Sequence, residues 1–149
     1  LLTEPRLAQH FARIGLAMHR LLEWGQLGAA QVRAAAREFR LDAAQAEQAR
    51  AAAERILGGE GAWAWQAELL WQGSEVELVH EGQLIRLDRL VQHPATGWWV
   101  LDYKSAARPE DDGSLRAQLA QYRDAVAAAH PGETVRAAFL TGQGRLVLL

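Results

Sequence analysis

The stretch that decides the fold is Trp98-Trp99-Val100-Leu101-Asp102-Tyr103-Lys104, an apolar run that ends in a carboxylate and a lysine two residues apart. Side chains at positions i and i+2 of a β-strand point to the same face, so Asp102 and Lys104 are expected to project into one site. A carboxylate binds a hard divalent cation through oxygen, and an ammonium group orients water or stabilises the charge on a phosphate. The alternative is a strand that runs into solvent with a surface salt bridge, which is what a lone D-x-K motif most often means.

The apolar run before this strand contains a second carboxylate, Asp88. A carboxylate in such a run is costly unless it is paired or bound to a metal. Glu75 begins the preceding run, and neighbouring strands of a hairpin lie about 4.8 Å apart. Glu75, Asp88 and Asp102 can therefore converge on one cation. The alternative for Asp88 is an ion pair with Arg86 or Arg89.

Composition limits the class of protein. The chain has 149 residues, of which 50% are hydrophobic and 23% charged, as expected of one globular domain. It has no cysteine, which excludes disulfides, thiolate metal sites, cysteine nucleophiles and an iron–sulfur cluster. No apolar run approaches the ~20 residues of a membrane span and no signal peptide is seen, so we expect a cytoplasmic protein with no membrane partner. The net charge of -2 argues against a generally basic nucleic-acid coat.

The pattern of apolar residues predicts a single domain over residues 1–149, mainly helical over 1–60, with a sheet core and one long helix over 63–149. Since the chain begins at Leu1 and its only methionine is Met18, we expect an excised domain of a larger protein. Helices are predicted at 4–24, 29–39 and 42–57, the last with Asp42 as N-cap, and at 114–130. The first helix has an apolar stripe of Leu7, Phe11, Ile14, Met18 and Leu21.

Strands are predicted at 65–71, 75–80, 83–92, 98–104, 134–140 and 145–149. Turn signals at Glu81-Gly82 and Pro94-Ala95-Thr96-Gly97 indicate that the strands at 75–80, 83–92 and 98–104 form a meander. Helices followed by a meander, a helix and further strands indicate an α/β fold with a mixed sheet flanked by helices, after an alanine-rich N-terminal helical section.

Five motifs occur in a characteristic order. They are Gly15-Leu16-Ala17-Met18-His19-Arg20-Leu21-Leu22-Glu23, Glu75, Ile85-Arg86-Leu87-Asp88-Arg89-Leu90, Val100-Leu101-Asp102-Tyr103-Lys104-Ser105 and Gln118-Leu119-Ala120-Gln121-Tyr122. In this order, over about residues 15–140, the chain resembles RecB/AddA-type nuclease domains of the PD-(D/E)xK superfamily, which are normally fused to a UvrD-like helicase.

The resemblance implies a restriction-endonuclease-like core that hydrolyses DNA phosphodiesters with Mg²⁺, for which Mn²⁺ can substitute. It further implies an exonuclease that acts on single-stranded DNA in bacterial double-strand-break processing and recombinational repair. The implied partners are DNA, a helicase motor in the same polypeptide and a partner subunit.

Carried over by position, the resemblance makes His19, Asp88 and Asp102 metal ligands, with the backbone carbonyl of Tyr103 as a further ligand. Lys104 is the implied catalytic lysine. The structural alternative for His19 is a core or capping histidine.

The implied catalytic set also includes three further residues. Gln118 and Tyr122 match a Q-x-x-x-Y motif that lines the site, where the alternative for Tyr122 is ordinary packing. Glu75 matches the acidic residue before the meander, with Glu68 and Glu77 as nearby alternatives.

One departure from the family pattern is Ile85, where a glycine is often found. It puts the local strand packing in doubt more than the chemistry. Trp98 and Trp99 should point to opposite faces, so at least one is expected in the core, and base stacking is the weaker interpretation.

Two rival functions remain. A catalytically inactive copy of the fold could serve as a DNA-end or protein-docking module, but such a module has no reason to keep the metal ligands and the lysine. The alanine-rich helices could make the chain an interaction scaffold, which leaves Asp88 and Asp102 unexplained.

Overall fold

The structure is a computed structural model that describes the backbone of residues 4–149 and the side chains of residues 9–149. Three helices come first: α1 (Glu4–Trp24), α2 (Ala29–Glu38) and α3 (Ala43–Leu57). A sheet region with one long helix follows, and its elements are β1 (Trp71–His80), β2 (Gln83–His93), β3 (Gly97–Lys104), α4 (Gly113–Ala129), β4 (Val135–Thr141) and β5 (Leu146–Leu148).

The strands form one mixed five-stranded sheet in the order β1-β2-β3-β4-β5. The first three strands are an antiparallel meander, β3 pairs with β4 in parallel, and β5 returns antiparallel to β4. Because α4 connects the two parallel strands, the sheet has the crossover that parallel pairing requires. The predicted α/β fold with a mixed sheet and flanking helices is confirmed.

Both faces of the sheet are covered by helices. On one face, α1 and α3 pack against residues that include Leu101, Tyr103 and Leu140. On the other face, α4 packs against residues that include Val100 and Phe139. Successive residues of β3 alternate between these two layers, so Asp102 is on the α4 side of the sheet and Tyr103 on the α1 side.

The N-terminal helices follow the predicted bounds closely. The Asp42 carboxylate accepts the Gln45 backbone N–H at 2.8 Å, and the Gln45 side chain accepts the Asp42 N–H at 2.8 Å, so the predicted N-cap is part of a capping box. The predicted apolar stripe of α1 is wrong at Phe11, which is 58% exposed. Ile14, Met18 and Leu21 are buried as expected, whereas Leu7 lies outside the described side chains.

The predicted strand at 65–71 is wrong. Residues Ala62–Trp65 form a 3-10 turn, and the chain enters the sheet only at Trp71. The Trp65 ring stacks on Tyr103 with 5.9 Å between ring centroids and an angle of 25°, so this aromatic residue covers the sheet instead of belonging to a strand. The single strand β1 includes the run predicted at 75–80.

The two tryptophans of β3 lie on opposite faces, as predicted. Trp98 is buried in the α4 layer, and Trp99 packs on the α1 layer. Ile85 is buried in the α4 layer, so the departure from glycine at this position causes no packing defect.

Among residues 4–149, no helix is long and apolar enough to cross a membrane.

Candidate active site

The site lies where strands β2 and β3 separate. Their pairing begins at His93–Gly97 and ends at Arg89–Leu101, whereas β3 continues to pair with β4 as far as Lys104–Thr141. Asp88 is the first residue beyond the last β2–β3 pair. Its carboxylate accepts the Tyr103 backbone N–H at 2.8 Å. The Asp88 side chain thus satisfies a backbone donor that the departing strand leaves unpaired.

Helix α1 brings His19 to the same carboxylate. His19 Nε2 is 3.2 Å from Asp88 Oδ2, and His19 Nδ1 is 2.8 Å from the Gly15 carbonyl oxygen one turn earlier. Burial would lower the pKa of His19, but the hydrogen bond and negative charge of Asp88 outweigh it and raise the pKa above its usual value. Burial alone would raise the pKa of Asp88, and the hydrogen bond and charge of His19 lower it instead. Asp88 therefore stays ionised.

Asp102 and Lys104 share one face of β3, with Lys104 Nζ 3.2 Å from Asp102 Oδ2. The Asp102 and Asp88 carboxyl groups are close enough for each to shift the pKa of the other. Burial and then the negative charge of Asp88 raise the pKa of Asp102 to about 7, although Lys104 opposes this shift. Two adjacent carboxyl groups thus share the site, and only one of them is readily ionised without a further cation.

Glu75 is held in a distorted segment of β1. Its φ angle is 52°, in the left-handed region that few non-glycine residues adopt, and the β1–β2 register is the same on both sides of it. This unchanged register places Glu75 opposite Asp88. Burial, the charge of Asp88 and the charge of Glu23 raise the pKa of Glu75. Of the two alternatives, Glu77 pairs with Arg86 and Glu68 is exposed, so Glu75 is the acidic residue that reaches the site.

The two residues of the Q-x-x-x-Y motif are placed differently. Tyr122 is half-buried and packs against the α4 layer, and burial followed by the charges of Asp102 and Asp88 raises its pKa. Gln118 is exposed one turn earlier on α4, and its side chain makes no hydrogen bond to any described residue. The structure therefore connects Tyr122, but not Gln118, to the cluster formed by Asp88 and Asp102.

An open cleft of about 640 Å³ leads to this cluster. One wall is a face of α1 that carries Gly15, Leu16, His19, Arg20 and Glu23. Glu75, Arg86 and Asp88 line the opposite side, whereas Asp102 and Lys104 are outside the cleft wall and adjoin it through Asp88.

Several of these cleft residues were not assigned a role from the sequence. Arg20 bonds both oxygens of Glu38, at 2.7 and 3.0 Å, and also pairs with Glu23. Gly15, Leu16 and Glu23 could have been found from their spacing of three or four residues from His19 on a predicted helix, whereas Arg20 adjoins His19 in the sequence.

Arg89 is a further residue whose role sequence reasoning missed. It does not pair with Asp88, and neither does Arg86. The buried Arg89 side chain donates to the Ala64 carbonyl at 2.8 Å, Ser74 Oγ at 2.8 Å and Gln72 Oε1 at 2.6 Å. It thereby fixes the strand segment just before the distorted Glu75.

The donor set suits a hard divalent cation in its chemistry. Imidazole nitrogen and carboxylate oxygens come together from His19, Asp88 and Asp102. Burial and then the charge of Asp88 raise the pKa of Asp102, and a cation would oppose both effects. Within the described part of the chain, no three His, Asp or Glu side chains already surround a common point. A cation bound by His19 and Asp88 would take the place of the hydrogen bond between them.

We predict that the metal-free chain loses stability as pH rises from 5 to 8. The pKa of Asp102 is raised in the folded state to about 7, from about 3.9 in an unfolded chain, so the folded state binds the extra proton in this range. The raised pKa of His19 acts in the same direction. Each retained proton contributes a slope of at most about 1.4 kcal/mol per pH unit.

Urea unfolding in EDTA across this pH range measures the effect. The Asp102→Asn variant should have a flatter profile because it cannot titrate at this position. A wild-type free energy of unfolding that is constant or increases with pH would contradict the raised pKa of Asp102.

Comparison with known proteins agrees with the geometry. The model of one protein family, described as the PD-(D/E)XK nuclease superfamily, matches residues 2–147. No curated protein matches the chain.

Proposed function

Because the chain belongs to the PD-(D/E)XK nuclease superfamily, we propose that it is an active, metal-dependent nuclease that hydrolyses phosphodiester bonds of DNA at the cluster of Asp88, Asp102 and Lys104. His19 would hold the cation together with Asp88, Asp102 and the Tyr103 carbonyl. A bound Mg²⁺ or Mn²⁺ would supply charge neutralisation at the phosphate and lower the pKa of the attacking water.

The observation that carries this proposal is the identity of residue 104. Lys104 is the only lysine in the chain, and all other members of its 16 Lys and Arg residues are arginine. It lies 3.2 Å from Asp102 and is about one-quarter exposed. An ammonium is a compact charge that can donate in any direction, whereas a guanidinium is a rigid planar fork. A surface salt bridge would be served by either residue, so the single lysine supports a chemical role for the ammonium.

In this mechanism, Lys104 holds and orients the attacking water and stabilises the negative charge that develops on the phosphate. Asp88, kept ionised by His19 and the Tyr103 amide, is the permanent negative charge of the metal site. Glu75 and Tyr122 complete the polar lining around it, and Gln118 is proposed to meet the substrate from the exposed face of α4.

We propose further that the substrate is single-stranded DNA and the action exonucleolytic, as in RecB/AddA-type domains. The net charge of -2 supports weak intrinsic DNA affinity, so a UvrD-like helicase in the same polypeptide would deliver the strand. With a partner subunit, such an enzyme would act in the bacterial cytoplasm in double-strand-break processing and recombinational repair.

The test of an active enzyme against an inactive docking module is the Lys104→Arg variant. We expect the wild-type chain with Mg²⁺ to shorten a 5′-labelled single strand, and Lys104→Arg to cleave at least about 10-fold more slowly because the planar group cannot replace the ammonium. Calorimetric titration with Mn²⁺ should give nearly equal affinities for both proteins.

The matched control is Arg116→Lys, which makes the reverse exchange on the exposed face of α4. A wild-type chain that binds Mn²⁺ but leaves DNA intact would favour the docking module. Equal cleavage by Lys104→Arg would show that only the charge of residue 104 is needed.

A further inference from the structure

Gly15 is a glycine that the fold itself does not require. It lies in the interior of α1, where glycine lowers the folding equilibrium about fivefold relative to alanine. Its φ angle is not positive, and a Cβ atom at this position would have no neighbour within 4 Å among the described residues beyond its own helix backbone. By contrast, a Cβ at Gly59 would be 2.4 Å from the Gly144 carbonyl oxygen. Packing explains Gly59 but not Gly15.

The space beside Gly15 belongs to the cleft of the proposed nuclease site. The Gly15 carbonyl oxygen is bonded to His19, and both residues line the cleft that reaches Asp88. The cleft, at about 640 Å³, is within the usual size of small-ligand sites. A side chain at position 15 would therefore occupy volume next to the reacting centre.

The character of this wall indicates which part of a substrate it faces. Leu16, the next residue, is 52% exposed and lines the same cleft. The arginines that line the cleft are neutralised, Arg20 by Glu38 and Glu23 and Arg86 by Glu77. Gly15 and Leu16 give this wall an apolar part beside arginines that are already paired, which matches the uncharged sugar and base of a nucleotide better than its phosphate.

We propose that Gly15 is a specificity-determining residue, whose missing side chain makes room for the sugar and base of the nucleotide next to the scissile phosphate. The proposal rests on the nuclease function proposed above. The space on the α1 wall would then determine which nucleotides fit into the site. Gly15 itself would not hold the metal.

The test uses Gly15→Ala and Gly15→Met, with Ala128→Met on the exposed face of α4 as the control for an added side chain. Both substituents favour helix over glycine, so neither Gly15 variant should have a lower melting temperature than wild type. We expect kcat/KM for a short single strand to fall at least about 10-fold for Gly15→Met and less for Gly15→Ala. Mn²⁺ affinity should stay within about twofold of wild type, and Ala128→Met should be unchanged in all respects.

Wild-type cleavage by Gly15→Met would show that the substrate does not use this space and would overturn the proposal alone. Loss of Mn²⁺ affinity by Gly15→Met, in parallel with cleavage, would also overturn it, because residue 15 would then act through His19. Absence of cleavage by the wild-type chain would instead refute the nuclease function and this inference with it.

Discussion

Replacing Asp102 or Asp88 with asparagine is expected to lower the rate of DNA cleavage at least roughly 10²-fold while the chain stays folded. Each substitution removes the charge that would hold the metal, and it preserves the shape of the side chain. An asparagine in place of Asp102 resembles the protonated carboxyl, a form that the raised pKa of Asp102 already makes accessible near neutral pH. At position 88, the amide oxygen of asparagine can still accept the Tyr103 backbone N–H.

The measurement is single-strand cleavage by each variant, together with circular dichroism and the melting temperature. Asp124→Asn is the matched control because Asp124 is exposed on α4 and contacts only Arg123 among the described ion pairs. If both site variants cleave at the wild-type rate, or if either is unfolded, then the two aspartates are structural residues and the mechanism is wrong.

The sequence predicted most of the secondary structure because strands and amphipathic helices carry periodic signals. The meander and the helix α4 were found in this way, whereas the N-cap Asp42 was found from its residue type at the start of a helix. The proximity of Asp102 to Lys104 followed from the two-residue repeat of a strand, and the order of the motifs indicated the family.

What could not be predicted depends on contacts between distant parts of the chain. Trp65 resembles a strand residue in its sequence context, but its ring is drawn onto Tyr103 and beneath the Arg89 guanidinium, 4.6 Å from the ring centroid. Phe11 follows the helical period of α1, yet it lines an open pocket beside α3 and stays exposed. Periodicity reports which face a residue is on, and does not report how far the neighbouring element extends.

The point in β2 at which side chains change the face of the sheet to which they point also could not be predicted from the sequence. Leu87 and Leu90 both pack in the α4 layer although they are three residues apart, so the regular alternation of the strand is interrupted between them, next to Asp88. On β1 the positive φ of Glu75 lies at the matching position. These two distortions turn Glu75 and Asp88 toward α1, and the buried Arg89 that fixes the segment is visible only in the structure.

Removal of divalent metal is expected to have the largest effect of any change, a loss of cleavage of roughly 10³-fold or more. Four carboxyl groups, Glu23, Glu75, Asp88 and Asp102, lie at or beside the cleft, and every one that is ionised repels a phosphate. Lys104, the only lysine in the chain, is already paired with Asp102. The site therefore needs an added cation before a polyanionic strand can approach. Oxygen-rich ligands with one imidazole suit Mg²⁺ or Mn²⁺.

The most direct test of the central claim, that this cluster is a metal-dependent nuclease site, is a time course of single-strand cleavage by the wild-type chain with a chelator added and then titrated out. We expect product formation in Mg²⁺, no detectable product after excess EDTA, and recovery of the initial rate when Mg²⁺ exceeds the EDTA, with Asp102→Asn inactive throughout. Cleavage that continues at the same rate in EDTA, or that Asp102→Asn performs as well as wild type, would contradict the claim.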